Sequence, residues 1–369
     1  MDGRAALTRL FFLYRDSPLR RAALAAAPGS ADRYALFGAD ELTTRGFHVH
    51  HSLEPGVAPS RGDGALDRAL RRAVALGGGY GGDFATVLAS RELANESDVI
   101  LSTVDTVGIP AVLLAEMRLL RAPLVYVSIG LPHRLAQLRS ERVRRSYARA
   151  FGRAAVVVAY GHAEAEELRT LLPGHDVRFV PFGVDTSAFV PEDVEPDVDV
   201  ASVGADPERD WELLARVAES MEGTSFAAVA AGERGRILQP SANLAVSREL
   251  PFAEASGRLA RARVVALPVR DNAYSGATTT LLQAMALAKP VVVSRTAAIA
   301  DGYGLENGVN VRFVPPGDAT AFASAVSELL AEPDAAAALG RRARETVEGE
   351  LGWERYVDRM EDVLRVASR

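Results

Sequence analysis

The chain has 369 residues, of which 48% are apolar and 24% charged, with a net charge of −6 and no cysteine. That length suggests two domains, since a single core rarely grows beyond ~250–300 residues, and the composition is that of a folded globular protein. The lack of cysteine excludes disulfides, thiolate metal sites and cysteine nucleophiles, and the acidic balance offers no footprint for nucleic acid or an anionic membrane surface.

Short apolar runs alternate with amphipathic segments along the first half. The runs are RLFFLY (9–14), FHVHHSL (47–53), DVILST (98–103), PLVYVSI (123–129), AAVVVAY (154–160) and VRFVPF (177–182). ALDRALRRAVAL (65–76) and ERVRRSYARAF (141–151) read as helices between them. Strands of this length separated by helices predict crossover units and a parallel sheet. LRRAALAAAPGSA (19–31) has the outline of a twin-arginine export signal, but its apolar part is short and alanine-rich and follows a strand-like run, which favours a folded loop and helix. No run reaches the ~18–20 apolar residues that span a bilayer. The expectation is a cytoplasmic protein that is not integral to a membrane.

At PEDVEPDVD (191–199) two prolines and five acids in nine residues read as an exposed linker. Strands resume with VDVASVG (198–204), TSFAAVAAG (224–232), ARVVALPV (262–269), KPVVVS (289–294) and VRFVP (311–315), with a helix from Trp211 to about Met221, another opening near Thr278 and two closing the chain. The expected fold class is therefore α/β, with two Rossmann-like parallel-sheet domains facing a central cleft. The first spans 1–190 and the second 191–352, and the helix 353–369 packs back on the first domain. Ligands of such sheets bind beyond the carboxyl ends of the strands.

Several segments occupy that position. YSGATTTLLQAMALAKPVVVS (274–294) opens a helix on glycine and three threonines with no acidic residue. Unpaired first-turn N–H groups and the helix dipole make this a seat for a phosphate, with Gly276 admitting a ligand to the backbone. The competing reading is that Ser275 or Thr278 simply caps the helix. Thr279 and Gln283 are four residues apart and share a face. STVDTVGIP (102–110) and SIGLPH (128–133) also follow strands; Asp105 is suited to bind an acceptor hydroxyl or to cap the next helix.

LGGGYGGDF (76–84) contains a GxGxxG, but a helix rather than a strand precedes it, so Gly77 reads as a helix C-cap and nicotinamide binding is rejected. The loop is left to shape the acceptor or phosphate side, with Asp83 as a polar contact. HVHH (48–51) places His48 and His50 on one strand face without a carboxylate cluster, so no metal site is expected.

VPFGVD (180–185), LLQAMALAKPVVV (281–293), GVNVRFVPPGDATAFASAVSELLAEPDAAAALGRRARETV (308–347) and WERY (353–356) together resemble glycosyltransferases of the GT-B type, family 4. The resemblance covers about half of the chain and is mainly one of layout before Val177. It implies transfer of a sugar from a nucleotide-diphosphate donor (UDP-, dTDP- or GDP-linked), retention of configuration, no obligatory cofactor or metal, and an acceptor that is a small natural product or a saccharide. The family's two donor-site glutamates, eight residues apart, fall on Ser275 and Gln283. Gln283 retains the means to bind ribose hydroxyls, while Ser275 reaches less far toward the sugar. The family's phosphate-binding arginine and lysine fall on Ala205 and Arg209, just after Gly204.

Position after the strands and the resemblance together put Gly204, Arg209, Arg270, Ser275, Gly276, Ala277, Thr278, Thr279, Thr280 and Gln283 on the donor, with Arg209 expected to stabilise the leaving phosphate. His133 lies a few residues from the place where the family puts a histidine near the donor sugar, and with Asp105 it completes the catalytic candidates. Two other readings remain: a catalytically silent sugar-nucleotide-binding partner protein, since both glutamates are replaced, and a sugar-nucleotide epimerase, which would need acid/base groups that the sequence does not supply.

Overall fold

A computed structural model of the chain describes residues 7–28, 30–248 and 250–369. Among these, twelve strands form two six-stranded sheets with parallel ladders. The first sheet holds β1 (Thr8–Leu13), β2 (Phe47–His51), β3 (Val99–Ser102), β4 (Leu124–Ser128), β5 (Val156–Ala159) and β6 (Val177–Phe179), in the order β2-β1-β3-β4-β5-β6. The second holds β7 (Val198–Gly204), β8 (Phe226–Ala230), β9 (Leu244–Ser247), β10 (Ala262–Leu267), β11 (Val291–Ser294) and β12 (Arg312–Val314), in the order β12-β11-β10-β7-β8-β9.

Helices cover both faces of each sheet, so the central strands are buried on both sides and read as unbroken apolar runs. Every residue of β3, β4 and β5 is buried. In the first core, Phe11, Ile100, Tyr126 and Val157 from the sheet meet Val107, Val112, Leu131 and Phe151 from helices. In the second, Val200, Phe226 and Val264 meet Trp211, Leu214, Val217 and Phe322.

The chain divides into two compact units, and both are discontinuous. The first runs to Tyr160 and adds Glu164–Val180 and Val357–Arg369; the second comprises Gly161–Ala163 and Pro181–Tyr356. The crossing thus falls at 180/181, and the acid-rich stretch 191–199 lies inside the second unit. The terminal helix Trp353–Ala367 joins the first unit through its later turns: Val357 Cγ2 lies 3.1 Å from where a Cβ on Gly38 would stand, and Arg45 pairs with Asp358 at 2.6 Å and with Glu361 at 3.1 Å.

Two details depart from the sequence expectations, and a third agrees with one. Three helices close the chain rather than two, Ala319–Ala331, Pro333–Glu350 and Trp353–Ala367, because Pro333 at a first helical position starts a new helix instead of continuing the old one. Strand β9 and the helix Phe252–Ala260 escaped notice. The stretch 19–31 contributes to the helix Pro18–Ala25, capped by Ser17, while Gly29 within it lies outside the described residues.

Candidate functional site

The order of the second sheet reverses between β7 and β10, and the segments that follow these two strands lie side by side. An antiparallel bridge joins Arg209 to Val269, and the Arg270 N–H donates to the Glu208 carbonyl at 2.9 Å. A reversal of strand order is where doubly wound sheets leave room for a ligand. The candidate site is built here, within the second unit, from the loop 205–210 after β7, the loop 268–277 after β10, and the start of the helix Thr278–Ala286.

Arg209 lies at its centre and is fully buried. Nη2 donates to Ser202 Oγ at 2.5 Å, the guanidinium stacks 5.0 Å from the Trp211 ring centroid, and Gly204 packs against it. Nε and Nη1 have no hydrogen-bond partner among the described residues. Burial pulls its pKa down to about 10, partly opposed by the Asp206 carboxylate, so it remains a cation at neutral pH. A buried guanidinium with two N–H-bearing nitrogens unmatched is costly unless an anion engages it.

The helix Thr278–Ala286 begins at Ala277, whose φ of 54° puts a non-glycine residue in the left-handed region, and no side chain caps it. The capping alternative for Ser275 and Thr278 is therefore not realised. Ser275 Oγ donates instead to Asp206 Oδ2, its N–H to Asn272 Oδ1 at 2.6 Å, and its carbonyl accepts from Thr296 Oγ1 at 3.2 Å. Thr278, Thr279 and Thr280 are partly exposed; Gln283 is 6% exposed, with no hydrogen bond from its amide to the described residues.

Two sequence readings change here. Gly276 was expected to give a ligand access to the backbone, yet a Cβ there would stand 2.2 Å from Ile299 Cγ2, so this glycine lets the helix start pack against Ile299. The acid-free helix start also acquires acids from the loop after β7. Asp206 reaches Ser275, and Glu208 Oε1 accepts from the Tyr274 hydroxyl at 2.7 Å. Arg270 is not a free cation: its guanidinium pairs with Glu212 Oε2 at 2.5 Å and donates to the Arg209 carbonyl at 3.3 Å.

The other candidates are in the first unit. Asp105 is 2% exposed and does not cap its helix, since Val104 holds that position; it is the first helical residue of Asp105–Glu116. Its Oδ1 accepts from the Tyr126 hydroxyl at 2.5 Å and from the Ile129 N–H at 3.0 Å, and its Oδ2 from Arg134 Nε at 2.8 Å. Burial raises its pKa despite these donors. His133 is exposed on the helix Leu131–Ala136, its Nε2 2.9 Å from Gln137 Nε2. Asp83 caps the helix Phe84–Asn95 by accepting from the Thr86 N–H at 3.0 Å, and Gly77 is the C-cap of the helix Arg61–Leu76. His48 and His50 stack edge to face at 4.5 Å, and the described residues contain no cluster of three or more potential metal ligands.

Sequence reasoning missed Glu164, which is 1% exposed in the first turn of the helix His162–Leu171. Its Oε1 accepts from Ser128 Oγ at 2.5 Å and from the Gly130 N–H at 2.7 Å, and its Oε2 has no hydrogen-bond partner among the described residues. Burial raises its pKa to about 8. An acid in a first turn is ordinarily a solvated partner of the helix dipole, so the sequence carried no sign of this one's burial.

Residues 200–332 match the family model described as Glycosyl transferases group 1. The whole chain superposes on a sucrose-phosphate synthase from Thermosynechococcus elongatus with a TM-score of 0.72 and 17% identity over 97% of this chain and 98% of that one. HepE of Anabaena, in complex with UDP-glucose, gives a TM-score of 0.68 at 15% identity, covering 97% and 99% of the two chains. An alpha,alpha-trehalose-phosphate synthase (UDP-forming) from Burkholderia vietnamiensis gives 0.68 at 14% identity, covering 97% and 98%. No curated protein matches the sequence. At these identities the structural likeness establishes the fold, while the family match lies on the unit that carries Arg209 and the Thr278 helix. The likeness thus establishes a GT-B-type fold, and residues 200–332 are similar to glycosyl transferases group 1.

Proposed function

We propose that the protein transfers a sugar from a UDP-type nucleotide-diphosphate donor, bound by the second unit, to an acceptor held by the first, with retention of configuration. The observation that carries this reading is Arg209, a buried cation with two unmatched donor nitrogens beside the uncapped helix start at Thr278. The diphosphate would take those donors together with the first-turn N–H groups and the threonine hydroxyls, an arrangement that suits a guanidinium fork and a helix N-terminus. Because Arg209 is fully buried, the groups that cover it must move as the donor enters. Gln283 would bind the ribose. The complexes of HepE with UDP-glucose and with UDP support uridine as the base.

In the proposed reaction the bond from the anomeric carbon to the leaving diphosphate breaks as the acceptor oxygen attacks on the same face, and the diphosphate takes the acceptor's proton. The protein's contribution is orientation and stabilisation of the charge that grows on the leaving phosphate. Arg209 and the Thr278–Thr280 turn supply it, and no carboxylate pair is called for. Neither Asp105, held by three donors, nor the exposed His133 is given a bond-making role in this scheme.

Titration calorimetry with UDP, dTDP, GDP and ADP on the wild type and Arg209→Ala tests the reading. Micromolar UDP binding that the substitution weakens supports it, and a folded wild type that binds none of the four would overturn it. A second reading, nucleotide-sugar binding without turnover, draws on Ser275 and Gln283 standing where the family resemblance expects glutamates. Binding of UDP-glucose with neither transfer nor hydrolysis across a broad acceptor panel would favour that reading.

A further inference from the structure

A second group of polar side chains lies at the carboxyl end of the first sheet, within the first unit. Arg134 projects from the short helix after β4 and uses only Nε to reach Asp105, at 2.8 Å. Its guanidinium lies over the ring of Tyr80, 4.3 Å from the centroid, and Tyr80 Oη stands 3.2 Å from Thr106 Oγ1. The loop that carries Tyr80 is fixed by close packing. A Cβ on Gly79 would stand 2.3 Å from Tyr147 Oη, and Gly82, at a φ of +55°, would bring one 2.5 Å from Pro110 Cγ. Arg139 closes the other side of this loop, its Nη1 donating to the Leu76 carbonyl at 3.1 Å and its Cγ 3.0 Å from where a Cβ on Gly78 would stand.

The guanidinium of Arg134 is therefore held by one edge and one face. Its side chain is 36% exposed, and neither Nη group has a hydrogen-bond partner among the described residues. An arginine placed only to neutralise a buried carboxylate would be expected to present its two-pronged edge to it; here a single nitrogen does so, and four N–H donors remain. Stacking on an aromatic ring fixes the plane of a guanidinium without consuming its donors. Asp105 would repel an incoming anion, but its charge is already met by Tyr126, the Ile129 N–H and Arg134 itself, and Arg139 leaves one further cation on the loop.

We propose that Arg134, anchored by Asp105 and stacked on Tyr80, is an oxyanion-binding site of the first unit that receives a phosphate or carboxylate group carried by the acceptor. The two free Nη groups present the fork that pairs with such a group, and the Thr106 and Tyr80 hydroxyls stand beside it. Assignment of the anion to the acceptor rests on the donor reading above; the anion site itself does not. The inference narrows the acceptor to acidic sugars or other anionic small molecules.

Calorimetric titration of the wild type, Arg134→Lys and Tyr80→Leu with glucose 6-phosphate, glucuronate and glucose, each repeated with UDP, tests it. The expected result is binding of glucose 6-phosphate or glucuronate but not of glucose, at least ten-fold weaker in Arg134→Lys, with UDP affinity unchanged in both variants. Which acid binds separates a phosphate from a carboxylate site. Tyr80→Leu keeps the Arg134–Asp105 pair and should also weaken the acid, which covers the case that Arg134→Lys fails to fold. UDP binding without either acid, or acid binding equal in wild type and Arg134→Lys, overturns the inference and leaves the donor reading standing. Acid binding lost in Arg134→Lys, in a protein that does not bind UDP, keeps the anion site but overturns its assignment to a glycosyl acceptor.

Discussion

Glu164 and Asp105 hold the same turn after β4 from two different helices. Glu164 accepts from Ser128 Oγ and the Gly130 N–H, and Asp105 accepts from the Ile129 N–H that lies between them. Two buried carboxyl groups thus fix three consecutive residues, and Asp105 raises the cost of ionising Glu164. Burial is the larger cause: it lifts Glu164 from 4.5 to about 8, with Asp105 adding to it.

Glu164 is accordingly protonated in the native state at neutral pH and ionised in the unfolded state. The native state holds the extra proton between about 4.5 and about 8, so stability declines as pH rises through that window and the penalty is complete above it. At 1.36 kcal/mol per pKa unit, the full loss is on the order of 5 kcal/mol. Glu164→Gln should remove this slope and leave the variant more stable than wild type at pH 8.5. Thermal melts of both proteins from pH 5 to 9 check it, and parallel Tm profiles would show that Glu164 titrates normally.

Arg209 should oppose stability while serving the ligand. Arg209→Met replaces a buried cation and its unmatched donors with apolar volume against Trp211. Such replacements of buried charge are often neutral or stabilising by ~1–4 kcal/mol. The ligand-free variant should melt at or above the wild-type temperature, while UDP no longer raises its Tm and turnover falls by ~10²–10³. A variant that melts well below wild type and yet still binds UDP would assign Arg209 to folding alone.

Gln283 tests the ribose contact without an acceptor. Its amide is nearly buried and hydrogen bonds to none of the described residues, so truncation should leave the fold intact. Gln283→Ala should weaken UDP about ten-fold, in line with ~1–1.5 kcal/mol for one hydrogen bond. It should have little effect on 2′-deoxy-UDP. Equal losses for both nucleotides would place Gln283 away from the 2′-hydroxyl.

Gly276→Ala drives a methyl into Ile299, which is fully buried. Overpacking of this kind costs ~1–3 kcal/mol and should displace the start of the Thr278 helix. Because the clash is with one side chain, Ile299→Ala should couple to it: the double variant should be at least ~1 kcal/mol more stable than the two single losses summed. Strict additivity, measured by denaturant unfolding, would mean that the helix start yields without Ile299.

How much of this was legible in sequence follows from the range of the interactions involved. The parallel sheets were readable because β3, β4, β5 and β11 are buried on both faces and spell nearly unbroken apolar runs. Strand β9 is a four-residue edge element, LAVS, with one residue fully buried, and carries no such run. At the site, position relative to the strands located Arg209 and the Thr278 turn. The same logic could not see that Asp206 is carried from the loop after β7 to Ser275, which is 69 residues away. Nor could it see that Arg270 is matched by Glu212, 58 residues earlier. A lone charged residue reads the same whether its partner is water or a distant side chain, and for that reason Arg134 and Glu164 went unremarked.

The interleaving of the two units also bears on how the protein is made. The first unit takes in Val357–Arg369, where Arg45 pairs with Asp358 and Glu361 and Arg365 lies 5.0 Å over the Phe47 ring. During synthesis, which proceeds from the N-terminus at ~5–20 residues per second, these contacts cannot form until the second unit has been translated. The N-terminal unit therefore waits on the ribosome with its six strands made but Phe47 and Gly38 uncovered, and a nonsense mutation after Tyr356 would injure the N-terminal unit rather than the nearer one.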